Sequence, residues 1–135
     1  SSLSTCIFGI LASRIGRHED AYTYFAQSAR MDLDDYHDNF YAGIHAANMA
    51  GTWQSIVFGF AGLRLVNGVP EFKFYIPEAW NGYHFTVKIK RSVLAVDVLP
   101  DGWTITLQSG DSVNFLVEGK PYKLTEKGAT CHVAL

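Results

Sequence analysis

The chain has 135 residues, of which 48% are hydrophobic and 18% are charged. This composition suffices for one domain or two small ones with a packed core, and it excludes general disorder. Lys and Arg number 11 against 13 for Asp and Glu, so no charge excess points to nucleic acid or to an anionic membrane. The only cysteines, Cys6 and Cys131, follow no metal-ligand or redox spacing. Since no membrane span or signal peptide is visible either, we expect a cytoplasmic protein.

The first half of the chain has helical periodicity. A first helix is predicted from about Leu3 to Gly16, a second over about Glu19 to Met31, and a third over Tyr41 to Arg64. The first and third are apolar around most of their circumference. Helices of this kind belong inside a helical body larger than these three can form.

After Val66 the periodicity changes to that of strands. Short alternating runs predict five of them, over residues 84–90, 93–98, 103–108, 113–117 and 120–124. The pair Asp101-Gly102 predicts a hairpin with a two-residue type I′ turn. The segment from Asn67 to Pro70 is the natural boundary, which gives two domains, residues 1–66 and 67–135, and an α + β fold.

Small residues and one histidine stand out in the third predicted helix. Gly43, Ala46, Ala47, Ala50 and Gly51 form a small-residue stripe, for which close helix packing is the simplest explanation, although a glycine near a helix start can also leave room for a ligand. His45 shares a face with Asn48, Met49 and Thr52. It is either a core histidine with satisfied hydrogen bonds or a site residue.

Two further segments allow a structural and a functional interpretation. Ser1, Ser2 and Ser4 either cap the first helix or, with its N-terminal amides, hold an anion such as phosphate, for which His45 would be a further ligand. The acidic residues around His37 lack the glycine and distal glutamate of a calcium loop. A solvated loop with helix-capping aspartates is therefore expected there, and no metal site is predicted.

Five segments together resemble the C-terminal part of glycoside hydrolase family 65. They are SSLS at residues 1–4, MDLDDYHDN at 31–39, GIHAANMAGTW at 43–53, GFAGLR at 59–64 and IPEAWNGYHFTV at 76–87. The family holds mostly disaccharide phosphorylases that act on α-glucosides such as maltose, trehalose and kojibiose. The resemblance implies that residues 1–66 are the last helices of an (α/α)6 barrel and that the rest is a small all-β domain with antiparallel sheets or a sandwich. Family members are several times longer, so we expect a C-terminal fragment.

The resemblance also implies a mechanism and a site. In the family, inorganic phosphate attacks the anomeric carbon with inversion while a glutamic acid protonates the leaving oxygen, which gives β-glucose 1-phosphate and a free sugar. No cofactor is implied, since phosphate is a co-substrate. The serine pair and the GIH histidine of the family hold that phosphate, and they match Ser1, Ser2 and His45. The implied partners are a disaccharide, phosphate and the remainder of the barrel, with a homodimer as a further expectation.

The resemblance leaves a gap and two alternatives. The general-acid glutamate of the family lies upstream, and no glutamate of this chain stands in a matching motif, so no catalytic residue is assigned here and the isolated chain is expected to be inactive. A trehalase-like hydrolase of the same family is the nearest alternative, although a serine pair in place of a carboxylate favours phosphorolysis. The other alternative is a separate carbohydrate-binding or interaction module, for which Trp80, Tyr83 and Trp103 could stack on a sugar but are better explained by packing.

Overall fold

In a computed structural model, the chain forms two compact units, one ending at Gly62 and the other starting at Leu63. The structure describes residues 4–35, 38, 41 and 43–134. None of the helices in this described part has the length and hydropathy of a transmembrane segment. The α + β class predicted from the sequence is confirmed, since helices fill the first unit and strands fill the second.

The described residues of the first unit form three helices. Helix α1 covers Thr5–Arg14, α2 covers His18–Ala29 and α3 covers Ala46–Gln54. A π-helical turn, Ser55–Phe60, continues α3 without a break. The first two helices agree with the prediction.

The third helix is shorter than predicted at both ends. Gly43 has a φ of 109°, outside the range of a right-handed helix, and His45 is the N-cap residue and not an interior one. At the other end Gly62 has a φ of 65°, the left-handed conformation in which helices commonly terminate. The prediction from periodicity that His45 lies inside the helix is therefore wrong.

Helix α1 and the helix formed by α3 and the π-helical turn run in the same direction. A Cβ atom added to Gly51 would lie 2.7 Å from Cys6 Sγ, and one added to Gly59 would lie 3.1 Å from Ser13 Oγ. Residue numbers along both helices therefore increase in the same direction at their contacts, as expected for parallel helices. The close packing predicted for the small-residue stripe holds for Gly51, whereas Ala46, Ala47 and Ala50 are exposed.

Large apolar side chains remain exposed on the helical unit. They are Ile7, Phe8 and Leu11 on α1, Ile15 at its C-cap, and Met49 and Trp53 on α3, with exposed fractions from 43% to 71%. Burial of one such side chain contributes roughly 1.5–3 kcal/mol, so an uncovered group of this size is unfavourable in water. The predicted apolar circumference of α1 and α3 is therefore present, and part of it has no cover within the described residues.

In the described part of the second unit, eight strands form two sheets. Their bounds in chain order are β1 Arg64–Val66, β2 Val69–Phe72, β3 Tyr83–Ile89, β4 Ser92–Leu99, β5 Gly102–Ser109, β6 Val113–Val117, β7 Lys120–Leu124 and β8 Thr130–Ala134. The strand order is β1-β2-β6-β7 in one sheet and β3-β4-β5-β8 in the other. All neighbours are antiparallel except β2 and β6. The five predicted strands are present, and β1, β2 and β8 were missed.

One hairpin turn differs from its predicted type, and another lies where the sequence suggested a domain boundary. Leu99 pairs with Gly102, so the turn between β4 and β5 consists of Pro100 and Asp101. Proline requires a negative φ, which excludes the predicted type I′ geometry at this hairpin. Asn67 and Gly68, which the sequence suggested as a domain boundary, have φ values of 51° and 78° and connect β1 to β2. Positive φ at both positions is what a type I′ turn requires.

An aromatic cluster packs one sheet against the other. Trp103 on β5 contacts Phe115 on β6 and Tyr122 on β7, with ring centroids 6.4 and 5.1 Å apart. Phe72 is fully buried and lies edge-on to Phe115. Because these rings join residues from β2, β5, β6 and β7, the cluster is the core of the unit, and Trp103 has the packing role expected for it.

Candidate functional site

The three predicted phosphate ligands fall in different parts of the chain. Ser1 and Ser2 lie outside the described residues, so their role stays a prediction. His45 is described, and it stands at the start of α3 with its side chain 18% exposed.

Asp32 holds His45 at two points. Its Oδ1 lies 2.5 Å from His45 Nδ1, and its Oδ2 accepts a hydrogen bond of 2.9 Å from the backbone N–H of His45. Asp32 lies in the turn that follows α2, and its side chain is 22% exposed. One carboxylate therefore joins the segment after α2 to the segment before α3.

The electrostatics of the pair define which ring nitrogen carries a proton. The hydrogen bond from the His45 side chain and then the one from its backbone lower the pKa of the Asp32 carboxyl below its usual 3.8; desolvation opposes them with a smaller effect, and the attraction of the His45 charge contributes least. At neutral pH Asp32 is a carboxylate, which only accepts hydrogen bonds. His45 Nδ1 is consequently the protonated nitrogen, and Nε2 is on the side of the ring away from Asp32.

A second carboxylate of this acidic segment has a different partner. Asp34 accepts two hydrogen bonds of 2.7 Å from the Arg30 guanidinium. Among the residues that the structure describes, no three metal-binding side chains come together. Asp32 and Asp34 therefore form different pairs, and the pair with Asp32 reaches the start of α3.

The polar face predicted for the third helix is not present as such. Asn48 is 2% exposed, and its Nδ2 lies 2.6 Å from Met31 Sδ. Its Oδ1 has no hydrogen-bond partner among the described residues. Thr52 donates to the backbone oxygen of Asn48 at 2.8 Å, while Met49 is exposed. Asn48 thus connects α3 to the turn that follows α2, and it does not share a surface with His45.

The parallel course of the helices brings two helix starts to one end of the unit. Cys6, in the first turn of α1, contacts Gly51 in the second turn of α3. His45 precedes α3, and in the sequence Ser1 and Ser2 shortly precede α1. Helix N-termini present unpaired N–H groups and a partial positive charge, which suit an anion. The end of the unit where α1 and α3 begin is therefore the candidate anion site.

Sequence reasoning missed Asp32 as a partner of His45. The two residues are 13 positions apart and are separated by a loop, and no helical or strand spacing connects residues across such a distance. The acidic residues were interpreted as a solvated loop with helix caps. Only the fold reveals that one of them contacts the histidine.

The sheet unit contains a cavity of about 390 Å³ with a different character. Aromatic side chains, among them Phe74, Trp80 and Trp103, line it together with Glu78 and Glu118. None of the described residues that line it is cationic. Two carboxylates without a cation disfavour a phosphate in this cavity.

Sequence profiles of one protein family match both units. Residues 1–54 match the glycosyl hydrolase family 65 central catalytic domain, and residues 63–124 match the glycosyl hydrolase family 65 C-terminal domain. The chain is 40% identical to the alpha,alpha-trehalose phosphorylase of Geobacillus stearothermophilus over 93% of its length. It is 37% identical to the kojibiose phosphorylase of Caldanaerobacter subterraneus subsp. tengcongensis over 92%. It spans 16% of the length of each relative.

A solved structure is similar over the whole chain. The protein designated "Putative kojibiose phosphorylase from human microbiome" matches with a TM-score of 0.89 and 36% identity. The match covers 100% of this chain and 20% of that one. Sequence profiles, relatives and structure thus agree on one family.

Proposed function

The chain belongs to glycosyl hydrolase family 65, and on this premise we propose that it is part of a glycoside phosphorylase that cleaves an α-glucosidic disaccharide with inorganic phosphate. Relatives named as trehalose, kojibiose and maltose phosphorylases support the reaction class. The whole protein supplies the activity, since the chain spans only 16% of these relatives.

The proposed reaction is an inverting displacement. A phosphate oxygen forms a bond to the anomeric carbon as the bond from that carbon to the glycosidic oxygen breaks, and a glutamic acid outside this chain gives its proton to the leaving oxygen. The products are β-glucose 1-phosphate and a free sugar. Phosphate replaces the water of an inverting hydrolase and is already an anion, so no base is needed to activate it. The protein must instead bind and orient a dianion.

We assign that binding to His45, Ser1 and Ser2. The observation that carries this proposal is the position of His45 at the start of α3, at the end of the helical unit where α1 also begins. Imidazole and hydroxyl groups beside helix N-termini provide donors and positive potential for phosphate. A serine pair in place of a carboxylate base also favours phosphate over water as the nucleophile.

The apolar surface of α1 and α3 supports the proposal that the rest of an (α/α)6 barrel covers these helices. Ile7 and Leu11 on α1 and Ile15 at its C-cap recur at four-residue intervals and are 48%, 50% and 71% exposed. Such a row forms one continuous stripe on a helix, which a neighbouring helix can cover. A cytoplasmic location and a homodimer stay predictions.

The experiment uses the full-length protein that contains this chain. The wild type should release β-glucose 1-phosphate from a disaccharide only when phosphate is present. A trehalase-like hydrolase would release glucose at the same rate with and without phosphate and would form no sugar phosphate, which would overturn the proposal.

The His45→Ala variant then tests the assigned ligand. The KM for phosphate should rise about 10- to 100-fold, because a hydrogen bond to a charged group contributes roughly 1.5–3 kcal/mol, while the KM for the disaccharide should not change. His84→Ala is the matched control, since His84 also pairs with an aspartate, Asp97, but on the sheet unit. An unchanged KM for phosphate in His45→Ala would refute the assignment.

A further inference from the structure

We infer that Asp32 is a positioning residue for phosphate, which acts by holding the His45 ring in one orientation with its Nδ1 proton in place. The inference rests on the proposed role of His45 and deepens it. It assigns a function to a residue of the acidic segment for which the sequence indicated only solvation and helix capping.

The first argument is geometric. Asp32 Oδ1 faces His45 Nδ1 at 2.5 Å while Oδ2 accepts the His45 backbone N–H at 2.9 Å. A ring held only through its own nitrogen could still move with its backbone. Because the same carboxylate holds both the ring and the backbone, the direction of Nε2 is defined relative to the start of α3.

The second argument concerns protons. A carboxylate can only accept, so Asp32 keeps a proton on Nδ1. With Nδ1 protonated and held by Asp32, Nε2 is the ring nitrogen that remains to face a ligand. Asp32 therefore determines which ring nitrogen of His45 is presented to phosphate.

A His-Asp pair on the sheet unit provides a comparison. His84 Nδ1 lies 2.7 Å from Asp97 Oδ1, and the two side chains are 54% and 48% exposed. Exposed pairs of this kind contribute little. The side chains of His45 and Asp32 are only 18% and 22% exposed, and the second hydrogen bond to the backbone is an additional constraint.

A double-mutant cycle on the full-length enzyme tests the inference. Asp32→Asn keeps the shape of the side chain and removes its charge. It should raise the KM for phosphate about tenfold, which is the lower end of the roughly 10- to 100-fold loss known for partners that orient metal-binding histidines. The KM for the disaccharide should not change. In a His45→Ala background the same substitution should have no further effect on phosphate, since the group through which Asp32 acts is absent.

The kinetic results distinguish a positioning role of Asp32 from a purely structural role and from an effect that does not pass through His45. A purely structural role would lower kcat through a loss of folded enzyme and would leave the KM for phosphate unchanged, and this result would overturn the inference. An equal rise in the KM for phosphate with and without His45 would also overturn it. Asp97→Asn is the matched control and should have wild-type kinetics. If the wild-type rate did not depend on phosphate, the proposed function itself would be refuted. An unchanged KM for phosphate in His45→Ala would refute the assignment of His45.

Discussion

Gly51 controls how closely α1 and α3 approach each other near the candidate site. A Cβ atom at this position would lie 2.7 Å from Cys6 Sγ and 2.9 Å from Cys6 Cβ, about 0.7 Å short of the 3.4 Å at which ordinary contact begins. In Gly51→Ala the two helices must therefore move apart. Gly9 is the matched control, because it is also inside a helix and its added Cβ would lie 3.4 Å from the nearest atom, Tyr24 Cβ.

The difference between the two alanine variants isolates the packing cost. Each gains about 1 kcal/mol of helix propensity, and this gain cancels in the comparison. Overpacking a close contact costs about 1–3 kcal/mol, so Gly51→Ala should be less stable than Gly9→Ala by that amount. Urea denaturation of the 135-residue chain, followed by far-ultraviolet circular dichroism, measures the difference.

A kinetic consequence should accompany the loss of stability. A displacement of about 1 Å can reduce catalysis by up to about 100-fold, so the full-length Gly51→Ala enzyme should use phosphate less efficiently than Gly9→Ala. Adding Cys6→Ala should restore part of both losses, since removing Sγ relieves the shorter of the two contacts. Equal unfolding midpoints for Gly51→Ala and Gly9→Ala would refute this reasoning.

Two further predictions concern a turn and the pH dependence of stability. Gly110→Ala should destabilise the sheet unit by more than the roughly 1–2 kcal/mol that a positive φ alone costs, because its Cβ would collide with the Arg91 carbonyl oxygen. Gly119 also has a positive φ but has open space around it, so Gly119→Ala should lose only about 1–2 kcal/mol. Urea denaturation followed by tryptophan fluorescence measures the difference in stability between the two variants. The folded-state pKa of Asp32 is lowered, so its stabilising effect is full above 3.8, the ordinary pKa, and is lost as the pH falls through the folded-state value. The difference in unfolding free energy between wild type and Asp32→Asn should therefore become smaller as the pH falls below 3.8. A difference that stays constant over this pH range would contradict the prediction.

The elements that the sequence predicted correctly are those with a local signal. Helices α1 and α2 have periodic apolar residues, and strands β3 to β7 alternate or are separated by turn residues. The start of α3 was predicted too early because the apolar periodicity continues through Ile44. The positive φ of Gly43 and the hydrogen bond from the His45 backbone to Asp32 set the actual boundary. Strand β1 has three residues, and β2 contains Pro70 and pairs in parallel with the distant β6, so neither has a clear local pattern.

The candidate site was predictable only in part. His45 was identified because a histidine among apolar residues needs an explanation, and the family resemblance supplied one. Asp32 was not identified, since its contact with His45 depends on how the segment after α2 meets the start of α3. Contacts of this kind are a property of the packed helices and have no counterpart in residue spacing.

The π-helical turn determines which residues of the third helix face α1. Eight residues separate Gly51 from Gly59, and at 3.6 residues per turn an unbroken α-helix would rotate Gly59 about 80° away from the direction of Gly51. The wider turn at Ser55–Phe60 contains the extra residue, and both glycines meet α1. The turn thus acts as a one-residue insertion that has been absorbed within a helix. It keeps the helix in register with its neighbour beyond the site, while the end that carries His45 retains ordinary α geometry.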